Sequence, residues 1–420
     1  MTKSVGVPAA APGGIRRRPK DRKDQIARAS AEAFSALGYH AVSMETIADK
    51  VGISAPALYR HYASKYHLFA GAVLTLSQQL VDCTEFVDAE PDTEASAVLD
   101  RVVQALIDVT LTNRESGGLY RWQARYLDGD DQPTLMEQLR VVNQRIQRPL
   151  SVLRPSLNSS QRWMLSSGLL SIIGSIVDHR VRSSPDDIRA VLTPAATALL
   201  AAELPSPSEV VPRPAAWRIF TAEAGVYEAV LHAAMVLFSD QGYPETSMAQ
   251  IAAAAEIPVS GIYRYFSGKS EILVIGLRRS ADRISGELSG VLATQRDPRQ
   301  ALTEVVDAYV ATSFANPELA SIYYTERVNL PAVDQALLRN VQRSTIDSWV
   351  QLLTAVRSDV TPTQARFLVH AAMALVVDLG RLVHYDRLAA DAGDPAGAAA
   401  SAYPQACVRR LMDVTLFGAG

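Results

Sequence analysis

The feature that most constrains the fold of this chain is an internal repeat. "ISAPALYRHYASKYHLF" at residues 53–69 and "IPVSGIYRYFSGKSEIL" at residues 257–273 follow the same pattern, 204 residues apart. Residues 26–69 align with residues 230–273 without a gap, and 13 of the 44 aligned positions are identical. A period this long predicts two copies of one folding unit.

The repeat extends far downstream, with an offset one residue shorter. "GLYRWQARYL" at residues 118–127 aligns with "SIYYTERVNL" at residues 321–330, and "LNSSQRWML" at 157–165 with "VTPTQARFL" at 360–368. Between the copies, residues 203–214 ("ELPSPSEVVPRP") contain four prolines, which is typical of an extended, semi-rigid linker. A chain of 420 residues is long enough for two units with separate cores.

Both halves are predicted to be all-α. Apolar residues recur at helical spacing over residues 102–109 and 135–146, and runs of strict alternation long enough for a sheet are absent from the sequence. Pro149 predicts a kink or an end in one of these helices.

The repeated segment predicts two short helices joined by a tight turn. A helix from about residue 22 to 37 should stop at Gly38, and Ser43 should cap a short helix over 44–51. In the second copy, "SMAQ" at 247–250 has the form of a capping box. After the turn at Gly52, Ser54 is expected to cap a second short helix over residues 55–62. This is a helix-turn-helix, whose second helix fits the DNA major groove.

These residues resemble a known family. "GYHAVSMETIADKVGISAPALYRHYASKYHLF" and "GYPETSMAQIAAAAEIPVSGIYRYFSGKSEIL" each resemble the DNA-binding region of TetR-family (tetracycline-repressor-like) transcriptional regulators. The resemblance implies two TetR-like units, each with an N-terminal three-helix domain and a C-terminal helical bundle. The expected segments are a disordered basic arm (1–21), a first helix-turn-helix domain (22–70), a first ligand-binding and dimerisation domain (71–202), the linker (203–214), a second helix-turn-helix domain (215–274) and a second helical domain (275–420).

The resemblance also implies the DNA contacts. Small side chains at the start of each recognition helix allow close approach to base edges and thymine methyl groups, while tyrosine, arginine and lysine contact phosphates or guanine. The alternative is that the tyrosines are core residues and the basic residues are only solvated. The expected DNA-binding residues are Arg16, Arg17, Arg18, Lys20, Arg22, Thr46, Ala55, Pro56, Ala57, Tyr59, Arg60, Lys65, Gln250, Val259, Ser260, Gly261, Tyr263, Arg264 and Lys269.

The two copies differ in charge. Residues 1–75 carry 11 Lys and Arg against 5 Asp and Glu, whereas residues 205–279 carry 6 against 7. Most of the difference is the arm "IRRRPKDRK", which is expected to enter the minor groove or line the backbone, or else to be a solvated tail. The second copy also has Glu256 in place of Gly52 and Pro258 in place of Ser54. We therefore expect the first copy to bind DNA more strongly.

Regulators that resemble each half pair as homodimers through their last two helices. The matching segments here are residues 159–182 with 185–202, and 362–385 with 403–417. This predicts an intramolecular pseudo-dimer and an operator with two non-identical half-sites. Asp178 aligns with Arg381, and the two are expected to face each other near the pseudo-twofold axis.

The resemblance further implies a small-molecule pocket in the C-terminal helices of each half. A small apolar or amphipathic effector is expected there, although aromatic residues at helical spacing also occur as core. The expected lining residues are Tyr120, Trp122, Tyr126, Tyr323, Tyr324, Glu326 and Arg327.

Other classes of function lack support in the sequence. No phosphate-binding glycine loop, GxSxG or HExxH motif occurs, so no enzymatic activity is expected. Two cysteines and seven scattered histidines predict no metal site and no cofactor, and a reducing cytoplasm. No apolar stretch reaches the length of a membrane span. The chain is expected to be a ligand-responsive DNA-binding regulator, with repression favoured; the alternative is a sensor or interaction protein in which only the first DNA-binding domain is competent.

Overall fold

The computed structural model describes residues 19–89, 94–211, 216–383 and 395–418, and within these ranges the regular structure is helical, with no strand. The first half contains α1 (Pro19–Leu37), α2 (Met44–Val51), α3 (Ala55–Tyr59), α4 (Lys65–Cys83), α5 (Phe86–Ala89), α6 (Ala95–Thr112), α7 (Leu119–Trp122), α8 (Asp131–Leu153), α9 (Ser159–Gly174) and α10 (Pro185–Ala201). The second contains α11 (Val226–Asp240), α12 (Met248–Ala254), α13 (Val259–Ile262), α14 (Lys269–Thr294), α15 (Pro298–Ala315), α16 (Pro317–Glu326), α17 (Ala332–Val356), α18 (Pro362–Leu382) and α19 (Pro395–Phe417). The all-α prediction is confirmed.

The predicted helix caps are present in both copies. α1 ends at Gly38, whose φ of 82° lies in the left-handed region that glycine favours. The Ser43 hydroxyl accepts a bond from the Thr46 amide at 3.1 Å, which satisfies an orphan donor of α2. Ser247 and Gln250 form the predicted capping box at the start of α12. Local hydrogen bonding therefore sets these boundaries.

The first recognition helix is shorter than the predicted 55–62, and the second is similarly short. α3 ends at Tyr59 and α13 at Ile262, because the chain tightens into turns that lead to α4 and α14. Ser54 occupies the N-cap position of α3, but its side chain makes no capping bond. α1 in turn begins earlier than predicted, at Pro19, a residue suited to the first turn of a helix.

The turn before each recognition helix has the same backbone in both copies but different residues. Gly52 has a φ of 71° and Glu256 a φ of 56°. Glu256 is the one non-glycine residue with positive φ within the described ranges. A left-handed glutamate is strained, so the second copy keeps the turn at a conformational cost.

A single hydrophobic core joins the C-terminal helices of the two halves. α9 packs against α18, and α10 packs against α18 and α19, with residues such as Leu169, Leu199 and Leu375 fully buried. Each helix-turn-helix domain has its own smaller core around Phe34 or Phe238. The bundle therefore forms from both halves of one chain.

Some helix boundaries in the bundle differ from the sequence-based expectation. α8 continues past the buried Pro149 to Leu153, so this proline does not end the helix. α9 ends at Gly174 and continues as a 3-10 turn over Ser175–Val177. α19 begins eight residues before the expected position 403. None of the helices in the described ranges combines the length and apolarity that a bilayer crossing requires.

Candidate nucleic-acid interface and effector site

Each recognition helix buries one apolar residue and exposes the residues expected to contact DNA. Leu58 and Ile262 are fully buried and anchor α3 and α13, whereas Tyr59 and Tyr263 are 50% and 56% exposed. The tyrosines are therefore surface residues, which removes the alternative of a core role. The other expected contacts on these helices are exposed (Pro56, Arg60, Val259, Ser260 and Arg264) or partly exposed (Ala55, Ala57 and Gly261).

Lys65 and Lys269 bind the protein's own backbone. Lys269 Nζ donates to the carbonyl oxygens of Tyr243, Pro244 and Thr246 at 2.7, 3.1 and 2.9 Å. Lys65 Nζ makes one long bond of 3.4 Å to the His40 carbonyl. Partial burial lowers the pKa of both lysines. These lysines thus hold the loop before α2 or α12, a role that sequence reasoning missed.

The remaining expected DNA contacts lie at the edges of the interface. Thr46 and Gln250 are exposed at the third position of α2 and α12. Arg22 lies in the first turns of α1 and is partly exposed, and Lys20 belongs to the same helix. Arg16, Arg17 and Arg18 lie outside the described residues.

The two helix-turn-helix domains meet each other and the opposite half. His40 Nε2 lies 3.4 Å from Glu245 Oε1. A Cβ built on Gly38 would lie 3.4 Å from Val328, and one built on Gly242 would lie 3.4 Å from the Tyr126 hydroxyl. The first domain therefore contacts the 3-10 turn Arg327–Asn329 of the second half. The second domain contacts the 3-10 turn Ala124–Tyr126 of the first half.

A buried polar cluster, the inter-half junction, links α7 to α18. Arg121 donates to Asp178 at 3.1 Å and to Asp378 at 3.0 Å, and Trp122 Nε1 donates to Asp178 at 2.6 Å. Trp122 stacks on Tyr324 of the other half, with ring centroids 4.4 Å apart.

The expected pairing of Asp178 with Arg381 is wrong. Asp178 is satisfied by Arg121 and Trp122 of its own half, while the Arg381 guanidinium lies 5.2 Å from the Trp122 ring centroid. Arg121, which the sequence analysis did not single out, supplies the cation that crosses to the second half through Asp378. No local sequence pattern marks this contact.

The second half encloses a mostly apolar cavity of about 110 Å³ between α14, α15, α16 and α17. Apolar side chains dominate its walls, and a few polar groups, including Thr312, Asn316 and Gln342, converge on it. This combination is typical of a small-molecule site. Tyr309 and Met373, which the sequence analysis did not single out, also line it.

The equivalent place in the first half is filled. The cavity between α4, α6 and α7 holds only about 10 Å³. In the alignment of the two halves, Leu76 and Leu80 stand where the second half has Ser280 and Ile284, and Val109 stands where it has Thr312. Leu76 is larger than Ser280 and Val109 is apolar where Thr312 is polar, so the first half is more apolar here and has less open volume.

The seven expected pocket residues divide into three groups. Tyr323 and Tyr324 line the 110 Å³ cavity, and with Trp122 and Arg327 they also line a larger cleft between the halves. Tyr120 borders the filled site of the first half. Tyr126 and Glu326 line neither cavity, because Tyr126 stacks on Tyr39 and Glu326 is fully buried in an ion pair with Arg125.

Comparisons with known proteins place two segments in one family. Residues 26–72 and 230–274 match the model of bacterial regulatory proteins, tetR family. The regulator HbdR of Aromatoleum sp. is 30% identical over 116 residues, which are 28% of this chain and 51% of HbdR. The activator FasR of Mycolicibacterium smegmatis is 43% identical over 74 residues, or 17% of this chain and 32% of FasR. The chain thus spans about half or less of these relatives.

Solved structures give a weaker likeness. A TetR-family regulator from Bordetella parapertussis shares 23% sequence identity over 46% of this chain and 95% of its own, with a TM-score of 0.38. The two family matches coincide with the two helix-turn-helix copies, α1 to α4 and α11 to α14. The DNA-binding unit of the tetR family of bacterial regulatory proteins thus matches this chain twice, over residues 26–72 and 230–274.

Proposed function

We propose that the chain is a transcriptional regulator whose two helix-turn-helix domains bind two unlike half-sites of one operator. The observation that carries this proposal is the paired exposure of Tyr59 and Tyr263, each followed by an exposed arginine, at the C-terminal end of a recognition helix. Such residues contact phosphates and position the helix in the groove. The helix surfaces differ, with Pro56 in one and Ser260 in the other, so the preferred bases differ as well.

The halves act as an intramolecular pseudo-dimer in this proposal. Support comes from the shared core of α9, α10, α18 and α19 and from the His40–Glu245 contact between the DNA-binding domains. Covalent linkage makes the pairing of the halves local and independent of a second chain.

An effector in the cavity of the second half regulates DNA binding, with repression relieved on binding as the favoured sense. Tyr324 connects the two sites, since it lines the cavity and stacks on Trp122 of the inter-half junction. An effector that favours one position of Tyr324 would favour one arrangement of the halves, which is the requirement for allosteric coupling.

A second candidate function is favoured by a specific observation. The second domain lacks the excess of basic residues, and its Lys269 is bound to three carbonyl groups rather than free for a phosphate. In this alternative the first domain alone binds DNA, and the second half acts as a sensor.

In-vitro selection from random duplex DNA with the full chain distinguishes the two. The regulator proposal expects two unlike half-sites whose centres lie about one helical turn, or a multiple, apart. Tyr59→Phe should weaken the preference for one half-site and Tyr263→Phe for the other, so each variant is the control for its counterpart. A single half-site, unaffected by Tyr263→Phe, would support the alternative; no enriched sequence would refute both.

A further inference from the structure

The cavity of the second half adjoins a much larger cleft between the halves. The cleft has a volume of about 810 Å³, which is within the range of small-molecule sites. Tyr323, Tyr324 and Gln342 belong to the walls of both spaces. A molecule longer than the cavity could therefore extend from the apolar space into the cleft.

The wall of the cleft has an excess of unpaired positive charge. Arg327, Arg339 and Arg343 line it, and none of them has a carboxylate partner among the described residues. Arg339 and Arg343 are exposed and four residues apart on α17, so they project from one face of the helix.

The acidic residues of the same wall do not cancel this charge. Asp178 is held by Arg121 and Trp122, and Asp347 is paired with Arg366. Arg180, which also lines the cleft, is paired with Glu115. Arg339 donates to the Gln335 amide oxygen at 3.3 Å and Arg327 lies 5.6 Å from the Tyr323 ring centroid, so the charges of the three guanidinium groups are not neutralised by a carboxylate and are available to an anion.

An unsatisfied donor lies on the first-half wall of the same cleft. The Val181 amide donates to His179 Nδ1 at 3.3 Å, so the proton of the neutral ring is on Nε2. His179 Nε2 is buried without a hydrogen-bond partner, although His179 belongs to the cleft wall. An orphan buried donor is costly, and an acceptor at this place would relieve that cost.

The first half has no counterpart of this arrangement. At the positions that align with Arg327, Arg339 and Arg343 it has Ala124, Met136 and Arg140. Arg140 is exposed and already paired with Glu137. The cationic wall therefore accompanies the open cavity and is absent beside the filled one.

We propose that the effector is an amphipathic anion: its apolar moiety enters the cavity and a phosphate-bearing group binds Arg327, Arg339 and Arg343 in the cleft. Guanidinium groups bind phosphates through paired charge-assisted hydrogen bonds. The cleft is far larger than a carboxylate needs, which favours a bulky group such as a nucleotide. A cavity of 150 Å³ holds benzene, so 110 Å³ accommodates an acyl chain of about four carbons.

This inference rests on the effector response proposed above, and calorimetry with the full chain tests it separately. The probes are butanoyl-coenzyme A, coenzyme A alone and butanoate. We expect one site per chain, with the thioester bound tightest and butanoate weakest. Replacing both Arg339 and Arg343 by alanine should weaken thioester binding at least about tenfold, since each lost charge-assisted bond is worth about a factor of ten. Arg140→Ala, the matched change in the first half, should leave it unaltered.

The inference is overturned if the thioester does not bind, if it binds the double variant as tightly as the wild type, or if butanoate binds as tightly as the thioester. An operator selected by a chain that ignores the thioester would leave the regulator function standing and remove this effector. If the chain binds the thioester but selects no DNA, the effector site stands and the regulator function is refuted.

Discussion

Gly174 allows the inter-half junction to close, and its replacement by alanine tests the role of Arg121. A Cβ built on Gly174 would lie 2.0 Å from Arg121 Nη1 and 2.7 Å from Arg121 Cζ. The guanidinium cannot move away freely, because it is bonded to Asp178 and Asp378 and its side chain is only 9% exposed. Gly174→Ala must therefore break at least one of these ion pairs.

The magnitude follows from two opposing effects. Breaking a buried ion pair from one side costs about 3–5 kcal/mol. Alanine in place of a helical glycine returns about 1 kcal/mol through helix propensity. We expect Gly174→Ala to lower the free energy of unfolding by about 2–4 kcal/mol.

Urea unfolding followed by far-ultraviolet circular dichroism measures this change. Gly286 is a matched control, since it lies inside α14 and a Cβ there meets nothing within 4 Å. Gly286→Ala should stabilise the chain by about 0.5–1 kcal/mol. In an Arg121→Ala background, Gly174→Ala should cost almost nothing, because the clash is gone. If Gly174→Ala alone unfolds at the urea concentration of the wild type or above, the assigned role of Arg121 is refuted.

Three further predictions concern the turns, the lysines and pH. Gly52→Ala should destabilise the chain by about 1 kcal/mol and Glu256→Gly should stabilise it by a similar amount, because both residues have positive φ; thermal unfolding shifts of the same sign would contradict this. Lys269→Met should cost about 2 kcal/mol in urea unfolding, more than Lys65→Met, because it loses three carbonyl bonds rather than one long one; equal costs would count against the bracing role. Burial lowers the pKa of His370 from 6.5 to about 4, so its contribution to stability is complete above pH 6.5 and is lost as the pH falls toward 4. Between pH 7 and pH 5 the free energy of unfolding should fall by roughly 1–2 kcal/mol, and the fall should be smaller in His370→Gln.

Local features of the fold could be predicted from the sequence. Gly38, Ser43 and Ser247 act through hydrogen bonds and backbone angles within a few residues, and the structure has them as expected. The length of α3 was overestimated, because a short helix anchored by one buried residue ends where the chain turns toward the next helix.

Contacts between the halves could not be predicted in the same way. Arg121 and Asp378 are 257 positions apart, and nothing near either residue indicates its partner. The Asp178–Arg381 expectation assumed that aligned residues face each other, but stronger partners within one half satisfied Asp178.

The difference between the two cavities did leave a signal in the sequence. Aligning the halves shows Leu76 against Ser280 and Val109 against Thr312, a consistent change from larger or apolar to smaller or polar residues. Without the packing, however, no individual substitution shows that these positions surround one space. The two cavity volumes depend on how α14 to α17 pack in the second half and how α4 and α6 pack in the first, which the aligned sequences do not give.

The bundle of α9, α10, α18 and α19 affects how the concentration of assembled protein depends on the number of chains that the cell makes. For a regulator that is a dimer of two chains, the concentration of the dimer falls with the square of the chain concentration once the chains are diluted below the dissociation constant of the dimer. In the intramolecular pairing proposed above, each polypeptide carries both sides of the bundle, so the number of assembled molecules rises in direct proportion to the number of chains made. A few molecules per cell would be as fully assembled as thousands, and halving synthesis would halve the active pool rather than quarter it.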